Sequence, residues 1–184
     1  MTSGGPHRRP PVPALTGLVP VPTYRDRPAT PASDVSGTDL AGSPVEVGVL
    51  GTGRWTVLVF LSSSCDGCAD FWEAAADPRA AGLTTDEALV VVTHGPDYED
   101  VAAVVRLAPQ DPPPASPLGG AALVVMSESA WSTYRVQGPP FFVLVDGCSD
   151  RVVTEGVAWG VRQVGEHLRS ARSAQAAEAD DDGR

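Results

Sequence analysis

The sequence predicts a mixed α/β domain, one sheet flanked by helices, and three observations carry that prediction. Short apolar runs recur at Trp55–Leu61, Ala88–Thr93, Ala122–Met126 and Phe141–Val145, the composition of strands buried on both faces. Segments with apolar residues at helical spacing alternate with them. The resulting order, β-α-β-α-β-α-β-β-α, puts parallel and antiparallel neighbours into one sheet.

Trp55–Leu61, W-T-V-L-V-F-L, is rich in β-branched residues and reads as the first buried strand. After S-S-S-C-D-G-C, Cys68, Phe71, Trp72, Ala75 and Ala76 follow at i, i+3, i+4, i+7 and i+8, so a helix runs towards Asp77-Pro78. Ala88–Thr93 is the second strand. Asp97–Ala108 is the next helix, with acids in its first turn and Val101, Val104, Val105 and Ala108 on one face. Proline makes Pro109–Gly120 a loop. Ala122–Met126 is a strand and Ser129–Tyr134 a short helix. Phe141–Val145 turns at Asp146-Gly147 into Arg151–Thr154, a hairpin signal, and Val161, Val164 and Leu168 line a closing helix.

Length and charge narrow the function. The chain of 184 residues suits one domain with extensions. Its formal net charge of −10 argues against a sequence-independent nucleic-acid binder. All 13 basic residues are arginine, which excludes Schiff-base lysine chemistry and a phosphate-loop lysine. Nine of the 18 prolines fall in the first 44 residues, where Arg8, Arg9, Arg25 and Arg27 outnumber the acids before residue 31. Residues 1–44 therefore read as a proline-rich flexible leader, 45–170 as the folded domain and 171–184 as a low-complexity acidic tail. V-P-A-L-T-G-L-V-P-V-P is too short and too proline-broken for a signal-peptide core, and no run approaches the ~20 apolar residues of a membrane span.

Three cysteines carry the chemistry. Cys65-Asp66-Gly67-Cys68 sits where a buried strand gives way to a helix, whose open N–H groups and positive dipole end stabilise a thiolate. The i, i+3 spacing puts a second sulfur one turn away, able to displace a mixed disulfide formed at the first. Cys65 at the mouth is the candidate attacking thiol and Cys68 the candidate resolving thiol. Half of a zinc site is the bland alternative. It needs two further ligands, and only Cys148, His7, His94 and His167 remain, none in a paired spacing. Cys148 ends a strand of about six residues at ~3.3 Å each, so it lies roughly 20 Å from the start of that strand, a turn residue or half-exposed thiol.

Strand, C-x-x-C and helix, followed much later by Y-R-V-Q-G-P-P-F-F-V-L-V-D-G, resembles the thioredoxin superfamily over about residues 45–170. The additional β-α unit L-V-V-M-S-E-S-A-W-S-T-Y-R-V looks like the TlpA/peroxiredoxin-like branch. F-L-S-S-S-C is similar to the thioredoxin-like accessory proteins of methylamine dehydrogenase, relatives that usually carry an N-terminal membrane anchor. The resemblance implies a thioredoxin-like fold with a cis-proline at Pro140, preceded by Pro139, lying against the cysteine pair as a substrate-binding edge. It implies a thiol-disulfide oxidoreductase without a cofactor, exchanging with a protein thiol or disulfide client and drawing electrons from an unidentified donor. Departures are specific. Ser64 stands where thioredoxins have tryptophan, and Asp66-Gly67 where they have Gly-Pro. Val59 takes the place of the buried acid, and Pro139 lacks an N–H to offer a substrate backbone. The carboxylate of Asp66 also opposes a Cys65 thiolate. A specialised oxidoreductase is expected.

His94 ends the second strand on the same predicted sheet edge as Cys65, so it is a candidate for assisting proton transfer, against the plainer reading of a strand-end histidine satisfied by backbone or water. Ser62 puts a hydroxyl three residues ahead of Cys65, where peroxiredoxins hold Thr or Ser, and Arg135 is a candidate partner arginine. Peroxide reduction is thus the enzymatic alternative, and a non-catalytic interaction module the other. The four tryptophans read as packing, Asp97–Asp100 as a solvated helix start and Gly51-Thr52-Gly53 as a turn. Without an export signal the expected compartment is the cytoplasm and the expected direction is reduction. A longer N-terminus would move the chain to a membrane or beyond it.

Overall fold

The structure is a computed structural model and describes residues 24–25, 30–79, 82–83, 87–109 and 122–182. Residues 1–23, with His7, and most of the Pro109–Gly120 loop lie outside the described residues. In chain order the strands are β1 (Tyr24–Arg25), β2 (Thr30–Pro31), β3 (Val35–Thr38), β4 (Pro44–Val47), β5 (Trp55–Phe60), β6 (Glu87–Thr93), β7 (Leu123–Met126), β8 (Phe141–Asp146) and β9 (Arg151–Val157). The helices are α1 (Ala69–Ala76), α2 (Val101–Leu107), α3 (Glu128–Thr133) and α4 (Val161–Asp182).

All the strands join one mixed sheet, ordered β1-β9-β8-β5-β6-β7-β3-β4, with β2 also on β9. β5, β6 and β7 are parallel, and β8 runs antiparallel to β5 with Phe60 opposite Phe141. The apolar runs are continuous because both faces are covered. Val57, Val59 and Leu61 pack with Phe71, Trp72 and Ala75 of α1, Val104 of α2, and Val164 and Leu168 of α4. The alternate residues Leu58 and Phe60 pack with Trp131, Tyr134, Val143 and Val145 on the other face.

The structure moves both predicted ends of the domain. Residues 30–44 belong to the fold, not to a flexible leader. Val35 is fully buried, the Asp34 carboxylate accepts from the Val49 and Leu50 N–H groups, and the Tyr134 hydroxyl donates to the Ser33 carbonyl. Burial holds the Tyr134 phenol above its ordinary pKa, which keeps it a donor. The physical reason is that, between Pro31 and Pro44, the chain keeps every backbone donor a strand needs. The tail boundary at residue 171 shifts too, because α4 continues to Asp182. Its continuation is tied to the sheet by Arg172 on the buried Glu87 carboxylate and by Gln175 Nε2 donating to Asp146 Oδ2 at 2.9 Å. α2 starts at Val101 rather than Asp97, because Asp100 caps it by accepting from the Ala102 and Ala103 N–H groups.

Gly147, in the β8–β9 turn, is a position only glycine fits. A Cβ there would lie 2.1 Å from Thr52 Oγ1, 2.6 Å from the Arg54 carbonyl and 2.9 Å from the Val49 carbonyl. Two of those atoms are backbone and cannot step aside alone. Gly147→Ala is expected to destabilise the fold by about 1–3 kcal/mol, read as a lowered urea midpoint. An unchanged midpoint would mean that the turn moves freely.

Candidate active site

The site grows out of the end of β5. Leu61 N–H still donates to Val92, and the chain then leaves the sheet through Ser62–Ser64. Ser62 Oγ accepts from the Ser64 N–H at 3.2 Å and lies 3.0 Å from Ser64 Oγ, while the Cys65 N–H donates to the Ser62 carbonyl. The Ser62 hydroxyl that suggested peroxide chemistry is thus committed to its own turn. Cys65 is extended and opens a 3-10 turn, Asp66–Cys68, that runs straight into α1. No side chain caps either helical start, and the Cys68 N–H donates to the Cys65 carbonyl.

Cys65 and Cys68 are joined as a disulfide with their Cα atoms 5.4 Å apart. Cys65 is half-buried and Cys68 is 0% exposed. Cys68 lies within the core between α1 and β5, so solvent reaches the pair through Cys65 alone. Asp66 and Gly67 are exposed on the turn. The Pro139-Pro140 peptide bond is cis. Pro140 is buried against the cysteine turn, where a Cβ on Gly67 would meet Pro140 Cδ at 3.7 Å, and Pro139 is half-buried beside it. The turn between Cys65 and Cys68 thus meets Pro140.

His94 takes another place. Its Nδ1 donates to the Glu128 carboxylate at 2.9 and 3.0 Å, and its ring stacks on Trp131 at 3.8 Å. Trp131 belongs to the sheet face opposite the one Cys65 packs against, so the ring is held by a carboxylate and an indole rather than by the backbone or water of the plainer reading. His167 stacks on Phe142. Cys148 is free and exposed in the turn after β8, at the end of the strand remote from Pro140.

Two residues escaped the sequence reading. Glu99, assigned to a solvated helix start, is only 7% exposed and accepts at one oxygen, Oε2, from both the Ser63 N–H (3.1 Å) and the Ser63 hydroxyl (2.6 Å). The capping role of Asp100 was the available signal, because it places Glu99 in the turn before α2. Trp159, taken as packing, is 77% exposed just beyond β9. It borders an open groove of about 830 Å³ whose rim includes Asp70, Glu73, Asp77 and Glu166. An indole at that position could not be told from a core residue by sequence.

No protein-family model matches the chain, and no curated protein matches it. Solved structures do. A secreted Mycobacterium tuberculosis disulfide oxidoreductase homologous to E. coli DsbE superposes with a TM-score of 0.53 at 19% identity, covering 73% of this chain and 94% of that one. A putative thiol:disulfide interchange protein DsbE from Chlorobium tepidum gives 0.56 at 18% identity over 79% and 95%. StoA from Bacillus subtilis gives 0.52 at 17% identity over 76% and 98%. The chain therefore shares the thioredoxin-like fold of these structures, with a closely spaced cysteine pair at the strand–helix junction. Among the described residues no helix is long and apolar enough to cross a membrane.

Proposed function

We propose that the chain is a thiol-disulfide oxidoreductase that exchanges a disulfide with a protein client through Cys65-Asp66-Gly67-Cys68. The observation that carries this reading is the asymmetry of the pair, one sulfur at the surface and its partner sealed in the core. In the reduced protein the Cys65 thiolate attacks a client disulfide, forms a mixed disulfide and expels one client thiolate, which takes a proton. Cys68 then loses its proton and attacks Cys65 Sγ. The Cys65–Cys68 bond forms, the mixed disulfide breaks, and the second client thiol leaves. The client gains two electrons and the pair loses two, which a donor dithiol restores. Pro139 and Pro140 form the edge beside which the client segment lies, with the Pro139 carbonyl as an acceptor.

Direction follows the redox poise around the protein. In a cytoplasm the pair reduces its client, the direction expected from the sequence. In an oxidising compartment, such as that of the secreted M. tuberculosis neighbour, the same steps run in reverse.

The test equilibrates the protein with glutathione buffers, counts Cys65 and Cys68 thiols by alkylation, and follows reduction of a protein disulfide by dithiothreitol. Reversible conversion of the pair and faster client reduction are expected. A pair that millimolar dithiothreitol leaves oxidised, or one that leaves client reduction at the uncatalysed rate, overturns the reading in favour of a non-catalytic module.

A further inference from the structure

The Glu99 carboxylate has no part in the exchange steps, yet it reaches into the cysteine loop from another element. It is 7% exposed, and both of its bonds go to Ser63, two residues before Cys65. It arrives there from a turn in which the Tyr98 and Glu99 N–H groups both donate to the Gly95 carbonyl. Two trans peptides separate Ser63 from Cys65, at most about 7.6 Å between Cα atoms, so with both side-chain reaches added the carboxylate lies within roughly 14 Å of the Cys65 sulfur. The segments that build the site, residues 62–71, 95–100 and 138–141, contain no arginine or lysine. Their charged groups are Asp66, Asp70, Asp97, Glu99 and Asp100, and the neighbouring His94 is held by Glu128. Of these acids Glu99 is the buried one, and a buried charge is screened far less than exposed Asp66 or Asp70.

We propose that Glu99 is a positioning residue of the cysteine pair with two effects. Its hydrogen bonds fix the Ser62–Ser64 turn that presents Cys65, and its negative charge beside that turn disfavours the Cys65 thiolate. The charge opposes the helix-start dipole, so the reduced pair holds its protons more tightly and the disulfide is favoured over the dithiol. The consequence is a donor of electrons rather than an acceptor. This rests on the exchange reading for its biological meaning, though the ionisation of Cys65 can be measured without a client.

The experiment uses the full chain carrying Cys148→Ser, reduced with a phosphine, and compares Glu99→Gln and Glu99→Ala. Thiolate absorbance against pH gives the ionisation of Cys65. Glutathione equilibrium gives the preference for disulfide. Glu99→Gln keeps an acceptor for Ser63 and removes only the charge. It is expected to raise the ionisation constant of Cys65 by about tenfold, one pH unit in the titration midpoint. Alkylation at neutral pH should rise only about threefold, because a less basic thiolate is a weaker nucleophile. Glu99→Ala loses the same charge and also frees Ser63, so it should show the shifted titration together with a lower urea midpoint. A Glu99→Gln titration coincident with the parent overturns the proposal, and so does a Glu99→Ala variant with unchanged stability. If the parent fails to reduce a protein disulfide while Glu99→Gln still shifts the titration, the exchange reading falls and the role of Glu99 in setting the thiol stands.

Discussion

Cys68→Ser is expected to arrest exchange at the mixed disulfide, while Cys65→Ser abolishes it. The two outcomes differ because the sulfurs are not equivalent. Cys68 is sealed in the core, so with Cys65 gone no client sulfur can reach the site, and client reduction falls to the uncatalysed rate. With Cys68 gone, Cys65 still attacks but nothing displaces the client from it. A covalent adduct then accumulates that survives denaturation and dissolves in dithiothreitol. The measurement is non-reducing electrophoresis against a protein carrying a single disulfide, in a Cys148→Ser background so that the exposed thiol at the far end of β8 adds no adduct of its own. Equal adduct yields from the two variants would reverse the assigned roles.

Phe60→Ala is expected to cost about 3–5 kcal/mol of folding stability. The ring is fully buried and meets Trp131 edge-on at 5.4 Å, Tyr134 at 5.9 Å and Phe141 at 6.5 Å. These partners come from β8, α3 and the C-cap of α3, so the cavity cannot close by moving one side chain. Against the ~5–15 kcal/mol that holds a typical domain, the loss is roughly a fifth or more. Urea unfolding at constant slope reads it directly, and a loss below about 1 kcal/mol would mean that the surrounding rings collapse into the space. Leu61, the next residue, begins the cysteine loop. Exchange kinetics measured below the unfolding transition therefore test whether the packed ring also holds the loop.

Strand, turn and helix around Cys65 were legible because each is written locally. Trp55–Leu61 has no polar residue after Thr56, which is what a strand covered on both faces requires, and the helical spacing from Cys68 to Ala76 is unbroken. The remoteness of Cys148 followed from strand rise alone. Residues 30–44 were misread for the opposite reason. Nothing in T-P-A-S-D-V-S-G-T marks a strand without its partners, and those partners, Met126 and Arg151–Val152, lie some 90 to 120 residues on. Glu99 was hidden because an acid before a helix looks the same in sequence whether it faces water or turns inward. Only the position of the Ser63 loop, set by β5 lying beside β6, decides between them.

The early strands, in residues 24–25 and 30–47, furnish both margins of the sheet, with β1 and β2 on β9 and β3 and β4 beyond β7. A ribosome makes these strands first, and the strands that join them to the rest of the sheet come later. At ~5–20 residues per second, β2 waits on the order of ten seconds for β9. β6 has both of its neighbours, β5 and β7, before that. During the delay the early segment is bare backbone in a crowded cell, and its composition suits that exposure. Pro28, Pro31 and Pro44 withhold donors, and the apolar residues between them are few, so stray chains find little to pair with before the margins close.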